Sequence, residues 1–264
     1  MLDNLIKIYA LILGLCFGSF ANVAVYRIPR NESLLSPPSR CPKCGRRLAI
    51  TDLIPVVSWL LLRGKCKYCG EKIAIRYPVT ESMCALLFFG MACYTGANLA
   101  AIPLCVFAFI LLCISLIDFE TQEIPDPLLI VGATAGILWI AAGAIFARHE
   151  LLAPQWSDAL LGAIAGAGPL FLIDRIAIIL LGKEGFGFGD VKLMLMAGLF
   201  LGWKLALISL LFAIVAGGAF GAAMMAAKRL ERGSYMPFGP FLAVGSLASL
   251  WFGPAFISLL TGAT

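Results

Sequence analysis

Apolar residues run along this chain in blocks, with little of the alternation that marks a half-buried strand or an amphipathic surface helix. Runs long enough to cross a lipid core, about 17 to 25 residues, fall near 5–26, 79–97, 100–118, 127–147, 158–181, 190–203, 205–227 and 238–261. The pattern predicts an all-α polytopic membrane protein with about eight transmembrane helices, the sixth of them short. Between the first two runs lies a segment of another kind, residues 27–78, which is polar and rich in Pro and Gly. The expected organisation is a first transmembrane helix over 1–26, an extramembrane cysteine loop over 27–78, and a transmembrane core over 79–264.

Composition agrees: 61% of the 264 residues are hydrophobic and 13% charged, a balance that excludes an ordinary soluble domain. Eleven of the twenty Lys and Arg lie between Arg27 and Arg76. In a membrane chain that asymmetry signals orientation rather than a nucleic-acid surface, and it predicts a cytoplasmic loop with the N-terminus outside. The connections at 119–126, 182–189 and 228–237 then become cytoplasmic, and the last carries Lys228, Arg229 and Arg232. The first run is too long for a signal-peptide core and ends at Arg27 and Arg30, so it is expected to stay in the membrane.

The loop holds two matched motifs, Cys41-Pro-Lys-Cys44-Gly and Cys66-Lys-Tyr-Cys69-Gly. Two CxxC knuckles at this separation predict a four-thiolate structural zinc site of zinc-ribbon type, closed to water. The competing readings are a pair of disulfides, disfavoured in a reducing compartment, and a redox-active CxxC, which needs no second matched pair. Cys16, Cys84, Cys93, Cys105 and Cys113 lie in apolar runs and are expected as small buried hydrophobes.

Ionisable residues in membrane helices are functional candidates, and here they are Glu81, Asp118, Asp174, Arg175 and Asp190. Adjacent and opposite in sign, Asp174 and Arg175 read as a structural pair, and Asp158 as a helix N-cap. Asp118 closes one run in SLIDFETQEIPD and Asp190 opens another in GFGFGD, both on the predicted cytoplasmic edge. Such carboxylates, if they meet, share a proton and supply one acid and one base for attack of water on a peptide bond. Gly187 and Gly189 would permit non-helical backbone beside Asp190 and close approach of a bound strand. Asp126 is a nearby alternative to Asp118. The single His149 falls on the predicted outer side and no HExxH motif occurs, which leaves carboxylates as the proton-transfer pair. A transporter or assembly scaffold is the rival reading, but no internal repeat with matched broken helices is visible.

Taken in order, GSFANVAVYRIPR at 18–30, the paired CxxC loop, LIPVVSWLLLRGKCKYCG at 53–70, RYPVTE at 76–81, IDFETQEIPD at 117–126 and GKEGFGFGDVKLM at 182–194 resemble the type IV prepilin peptidases. The resemblance covers essentially the whole chain. It implies a GxGD-type aspartyl peptidase of the bacterial inner membrane that removes the basic leader of a prepilin or pseudopilin at the cytoplasmic edge, with Asp118 and Asp190 in the catalytic positions. It also implies methylation of the new N-terminus with S-adenosylmethionine, for which Glu81 and the loop are the places to look. The expected partners are prepilin or pseudopilin substrates and membrane lipid, with no nucleic acid. Glu120, Glu123 and Glu184 are expected to attract the basic leader.

Overall fold

The computed structural model describes residues 2–96, 98–145, 154–182, 185, 187–228 and 236–262. Helices account for about three quarters of them. In order they are α1 (Leu2–Arg27), the short α2 (Val57–Leu61), α3 (Arg76–Thr95), α4 (Ala101–Thr121), α5 (Asp126–Ile145), α6 (Trp156–Leu181), α7 (Phe188–Ala226) and α8 (Gly239–Thr261). Among the described residues the only β-pairing is two isolated bridges in the loop. Helices are the expected solution, because in lipid every backbone N–H and C=O must find its partner within the segment. Six of the helices, α1 and α4 to α8, are long and apolar enough to cross a membrane by length and composition. The residues Arg148, His149, Glu150, Lys183, Glu184, Arg229 and Arg232 lie outside the described residues.

The chain forms two compact units, Met1–Ala101 and Ile102–Thr264. In the first, α1 and α3 pack antiparallel with backbones nearly in contact. A Cβ on Gly14 would fall 2.6 Å from the Cα of Ala85, and one on Gly18 would fall 2.5 Å from the Cα of Glu81. Small residues drive such close packing in a membrane, where water does not reward burial of apolar surface. Asn22 reinforces the pair by donating from Nδ2 to the carbonyls of Gly18 and Tyr77. Cysteines 84 and 113 are buried as expected, whereas Cys16 and Cys93 are exposed and Cys105 is half-buried. An apolar run crossing lipid need not be buried in protein, so hydrophobicity alone does not place a thiol in the interior.

In the second unit, α7 merges two expected spans into 39 residues. Straight, such a helix would extend about 58 Å, nearly twice a hydrocarbon core of about 30 Å. It is not straight, because Gly202 has φ 69° and ψ 172°, a break in the helical backbone in a region open mainly to glycine. The chain reverses there, because Asp190 at the start of α7 shares a cleft with Asp118, which touches Gly239, while Gly217 late in α7 meets Phe238 and Phe241 beside it. Before the break, Gly166 meets Met194 and Gly162 meets Gly198 and Gly202, so α6 runs antiparallel to the first half. After it, Gly253 meets Leu205, Gly245 meets Ser209, and Gly217 meets Phe238 and Phe241, so α8 runs antiparallel to the second half. Among the described residues, α3 and the two halves of α7 bring the long helical segments to eight. The short first half is completed by close glycine packing against α6.

Two expectations at helix starts are corrected. α6 begins at Trp156 with Gln155 as N-cap, so Asp158 sits in the first turn rather than at the cap, its carboxylate against the Gly202 break. Gly187 has the expected non-helical backbone beside Asp190, but it is extended at φ −67° and ψ 140°, a conformation open to any residue, so the turn does not require glycine there.

Candidate active site

One end of the second unit gathers the C-terminus of α4 and the N-termini of α5, α7 and α8. Asp118 stands one turn before the end of α4, which stops as Gln122 turns left-handed at φ 58°. Asp190 is the third residue of α7. Both carboxylates are buried, at 3% and 4% exposure, and they lie within electrostatic reach of each other. They line a single cleft of about 330 Å³ together with Gln122, Glu123, Ile124, Asp126, Gly187, Gly189 and Lys192. The juxtaposition required of a carboxylate pair is therefore present, although 72 positions separate the two in sequence.

Backbone contacts position each member. Asp118 accepts a hydrogen bond on Oδ2 from the N–H of Gly239, 2.9 Å away, at the start of α8. That N–H is one of the donors a helix N-terminus leaves unpaired, and a negative charge is favoured there. A Cβ on Gly239 would lie 2.7 Å from the same oxygen, so only glycine admits the carboxylate so near the backbone. This contact escaped the sequence reading. Its one signal was the Phe-Gly-Pro triplet at 238–240, with proline in the first turn as a helix start.

Asp190 is placed by packing. Gly189 faces Ile124, whose Cβ would be 3.0 Å from an added Cβ, so the missing side chain draws the start of α7 against the loop after α4. Upstream, the Gly185 N–H donates to Oδ1 of Asp174 at 3.1 Å, and the other oxygen of Asp174 pairs with Arg175 at 2.7 Å. Asp174, 3% exposed, thus ties the segment leading to Asp190 back onto α6. Asp126 lines the same cleft but differs from Asp118 in burial and partner. It is exposed at the cleft rim and forms an ion pair with Lys192. Glu123 lines the cleft and Glu120 is exposed nearby.

The loop of the first unit contains the predicted cysteine centre. Its two knuckles repeat one geometry: Cys41 N–H donates to Arg46 O and Gly45 N–H to Cys41 O, while Cys66 N–H donates to Glu71 O and Gly70 N–H to Cys66 O. Gly45 and Gly70 both turn left-handed, at φ 69° and 71°. The sulfurs of Cys41, Cys44, Cys66 and Cys69 lie within 4.8 Å of one another, and those of Cys41 and Cys69 are 3.8 Å apart. A tetrahedral zinc with bonds of about 2.3 Å requires sulfurs about 3.8 Å apart, so the four thiols fit that ion. The amides of Cys44 and Lys43 pull the Cys41 thiol down to about 7, which favours the thiolate that a metal needs. Across the knuckles, Lys43 bridges Glu71 at 2.8 Å and the Arg46 guanidinium lies over the Tyr68 ring.

Glu81, in the first unit, is buried in α3. Its Oε2 accepts the backbone N–H of Val56 at 2.7 Å, which fastens the middle of the loop to the helix.

Comparisons with known proteins match this architecture along the chain. The bacterial peptidase A24 N-terminal domain matches residues 12–95, and the type IV leader peptidase family matches residues 105–222. A prepilin leader peptidase/N-methyltransferase of Pseudomonas putida is 35% identical over 92% of this chain and 89% of its own length. Proteins of the same name from Burkholderia pseudomallei and Bacillus subtilis are each 36% identical, over 96% and 94% of this chain and 88% and 94% of their own lengths. No solved structure matches significantly. With relatives this similar over nearly their full length, and both family regions in order, the chain belongs to the type IV leader peptidase family.

Proposed function

We propose that this protein is a prepilin leader peptidase of the bacterial inner membrane, with Asp118 and Asp190 as its catalytic pair and with the cleft and the cysteine loop on the cytoplasmic side. The observation that carries the reading is the meeting of two buried carboxylates from α4 and α7 in one cleft at a helix-bundle end. The basic excess between Arg27 and Arg76 supports the orientation. A prepilin offers a basic leader followed by an apolar helix, so its scissile bond would lie at the depth of the two aspartates.

In the reaction, the ionised partner takes a proton from water as the oxygen attacks the scissile carbonyl. The protonated partner donates to the carbonyl oxygen, and a proton then passes to the leaving amine as the C–N bond breaks. No covalent intermediate is required. The titration belongs to the pair rather than to either residue.

A four-cysteine zinc would hold the loop folded, since all its positions are filled by protein sulfur. S-adenosylmethionine, implied by the names of the relatives, would supply the methyl group for the new N-terminal amine. Glu81 does not fit as an open contact for that cofactor, because the residue is buried and its carboxylate already holds Val56, and no step is assigned to it.

Cleavage of a co-expressed prepilin by wild type, Asp118→Asn and Asp190→Asn, at matched membrane abundance, tests the pair. Each variant should lose about 10²- to 10⁴-fold in rate, the usual worth of a positioned acid or base. Full activity in either one would remove that residue from the mechanism and make Asp126 the next candidate.

A further inference from the structure

Outside the transmembrane helices, one stretch carries large apolar side chains that the protein leaves uncovered. Within residues 50–61, Ile50 is 87%, Leu61 78% and Leu60 61% exposed, with Leu53, Ile54 and Val57 exposed beside them. Contiguous apolar surface of this kind marks an interaction site.

The hydrogen bond from Val56 to Glu81 sets the level of this stretch along the helices. Glu81 lies five residues into α3, about 7.5 Å along the axis from Arg76. Gly18, which packs on Glu81, lies nine residues before Arg27 in α1, about 13.5 Å from that end. The chain that leaves α1 as a polar loop therefore dips back alongside the two helices, inside the level of both arginines. It turns there at Val56, at φ 59°, and starts α2. Trp59 holds the returning strand by donating from Nε1 to Ile73 O, while Leu60 and Leu61 point away from the protein. Immediately after them, before the second knuckle, come the exposed basic residues Arg63 and Lys65.

We propose that residues 50–61 form an interfacial foot, with Leu60 and Leu61 of α2 inserted at the boundary between headgroups and acyl chains and the following basic residues bound to anionic phospholipid headgroups. A leucine face flanked by Lys and Arg is the usual chemistry of interfacial helices. Basic side chains beside a transmembrane helix are attracted by anionic lipid. The foot holds the cysteine loop to the membrane surface without needing a protein partner.

The test uses full-length protein in nanodiscs of phosphatidylcholine with one quarter phosphatidylglycerol. Leu61, or separately Leu60, is replaced by the photoreactive p-benzoylphenylalanine, with Lys67 replaced as the exposed control, each checked for unchanged thermal unfolding. After irradiation, mass spectrometry should find lipid adducts at 60 and 61 well above those at 67. Phosphatidylglycerol should be enriched among them about fivefold over its mole fraction, the factor from one basic side chain near an anionic surface. Adduct yields at 60 and 61 no higher than at 67, or adducts mainly with protein, overturn the foot. Labelling of the two lipids in proportion to their abundance overturns the headgroup assignment.

Discussion

Asp118 owes its setting to a residue that carries no side chain. Gly239 brings its N–H within 2.9 Å of the carboxylate and leaves no room for a methyl group. Gly239→Ala should displace that oxygen and cost at least about tenfold in kcat, the factor that about 1.4 kcal/mol of lost positioning produces, with membrane abundance and KM little changed. Steady-state cleavage of a prepilin peptide reads this directly. Equal kcat in the variant would mean that the close contact has no part in positioning the carboxylate. The aspartates were legible as residue types in costly places, because a charge in an apolar run needs a reason. Gly239 was not, because its role exists only when a helix from 121 positions away arrives beside Asp118.

Among the elements, α7 depends most on glycine. Its first half meets α6 at Gly162 and Gly198, where an added Cβ at 198 would lie 2.2 Å from the Gly162 carbonyl oxygen. Overpacking at such a contact costs about 1–3 kcal/mol or more. Gly198→Val should therefore lower the midpoint of thermal unfolding in detergent and, by tilting the helix that carries Asp190, reduce cleavage as well. An unchanged midpoint would show that the two helices can part without loss. In the loop, the two knuckles are held by the same hydrogen bonds, so one ligand set should hold one metal ion. Metal analysis should give one zinc per wild-type chain and near none for Cys44→Ser, and equal zinc in the two would overturn the four-thiolate site. The knuckles were readable because both ligands of each lie three residues apart. The reversal at Gly202 was readable only as a gap between two apolar runs, since a single glycine in such a run is otherwise unremarked.

Across the whole molecule, charge and hydropathy carry separate information. The site end of the second unit is acidic, with Glu120, Glu123 and Asp126 exposed around the cleft, and Glu184 belongs to the same sequence neighbourhood. Lys192 offsets part of that charge by pairing with Asp126. Neutralising Glu120, Glu123 and Glu184 together should raise KM for a basic leader and flatten its dependence on salt, because screening acts on exposed charges. Unchanged kinetics from low to high ionic strength would remove the idea.

The sequence by itself determined that this is a helical membrane protein, with a basic cysteine loop after the first span and carboxylates in places where lipid makes them costly. Those properties are local: a span needs only length and apolarity, and a knuckle needs only its own few residues. Tertiary structure alone decided which carboxylates meet, where α7 turns back, and what holds each aspartate. Burial of Asp118 and Asp190 in one cleft follows from the approach of distant helices, and the attachment of Val56 to Glu81 from the return of a loop onto α3. That approach is set by glycines at the crossings, whose effect is the absence of a side chain, and a missing side chain leaves no periodic mark in the pattern of apolar and polar residues.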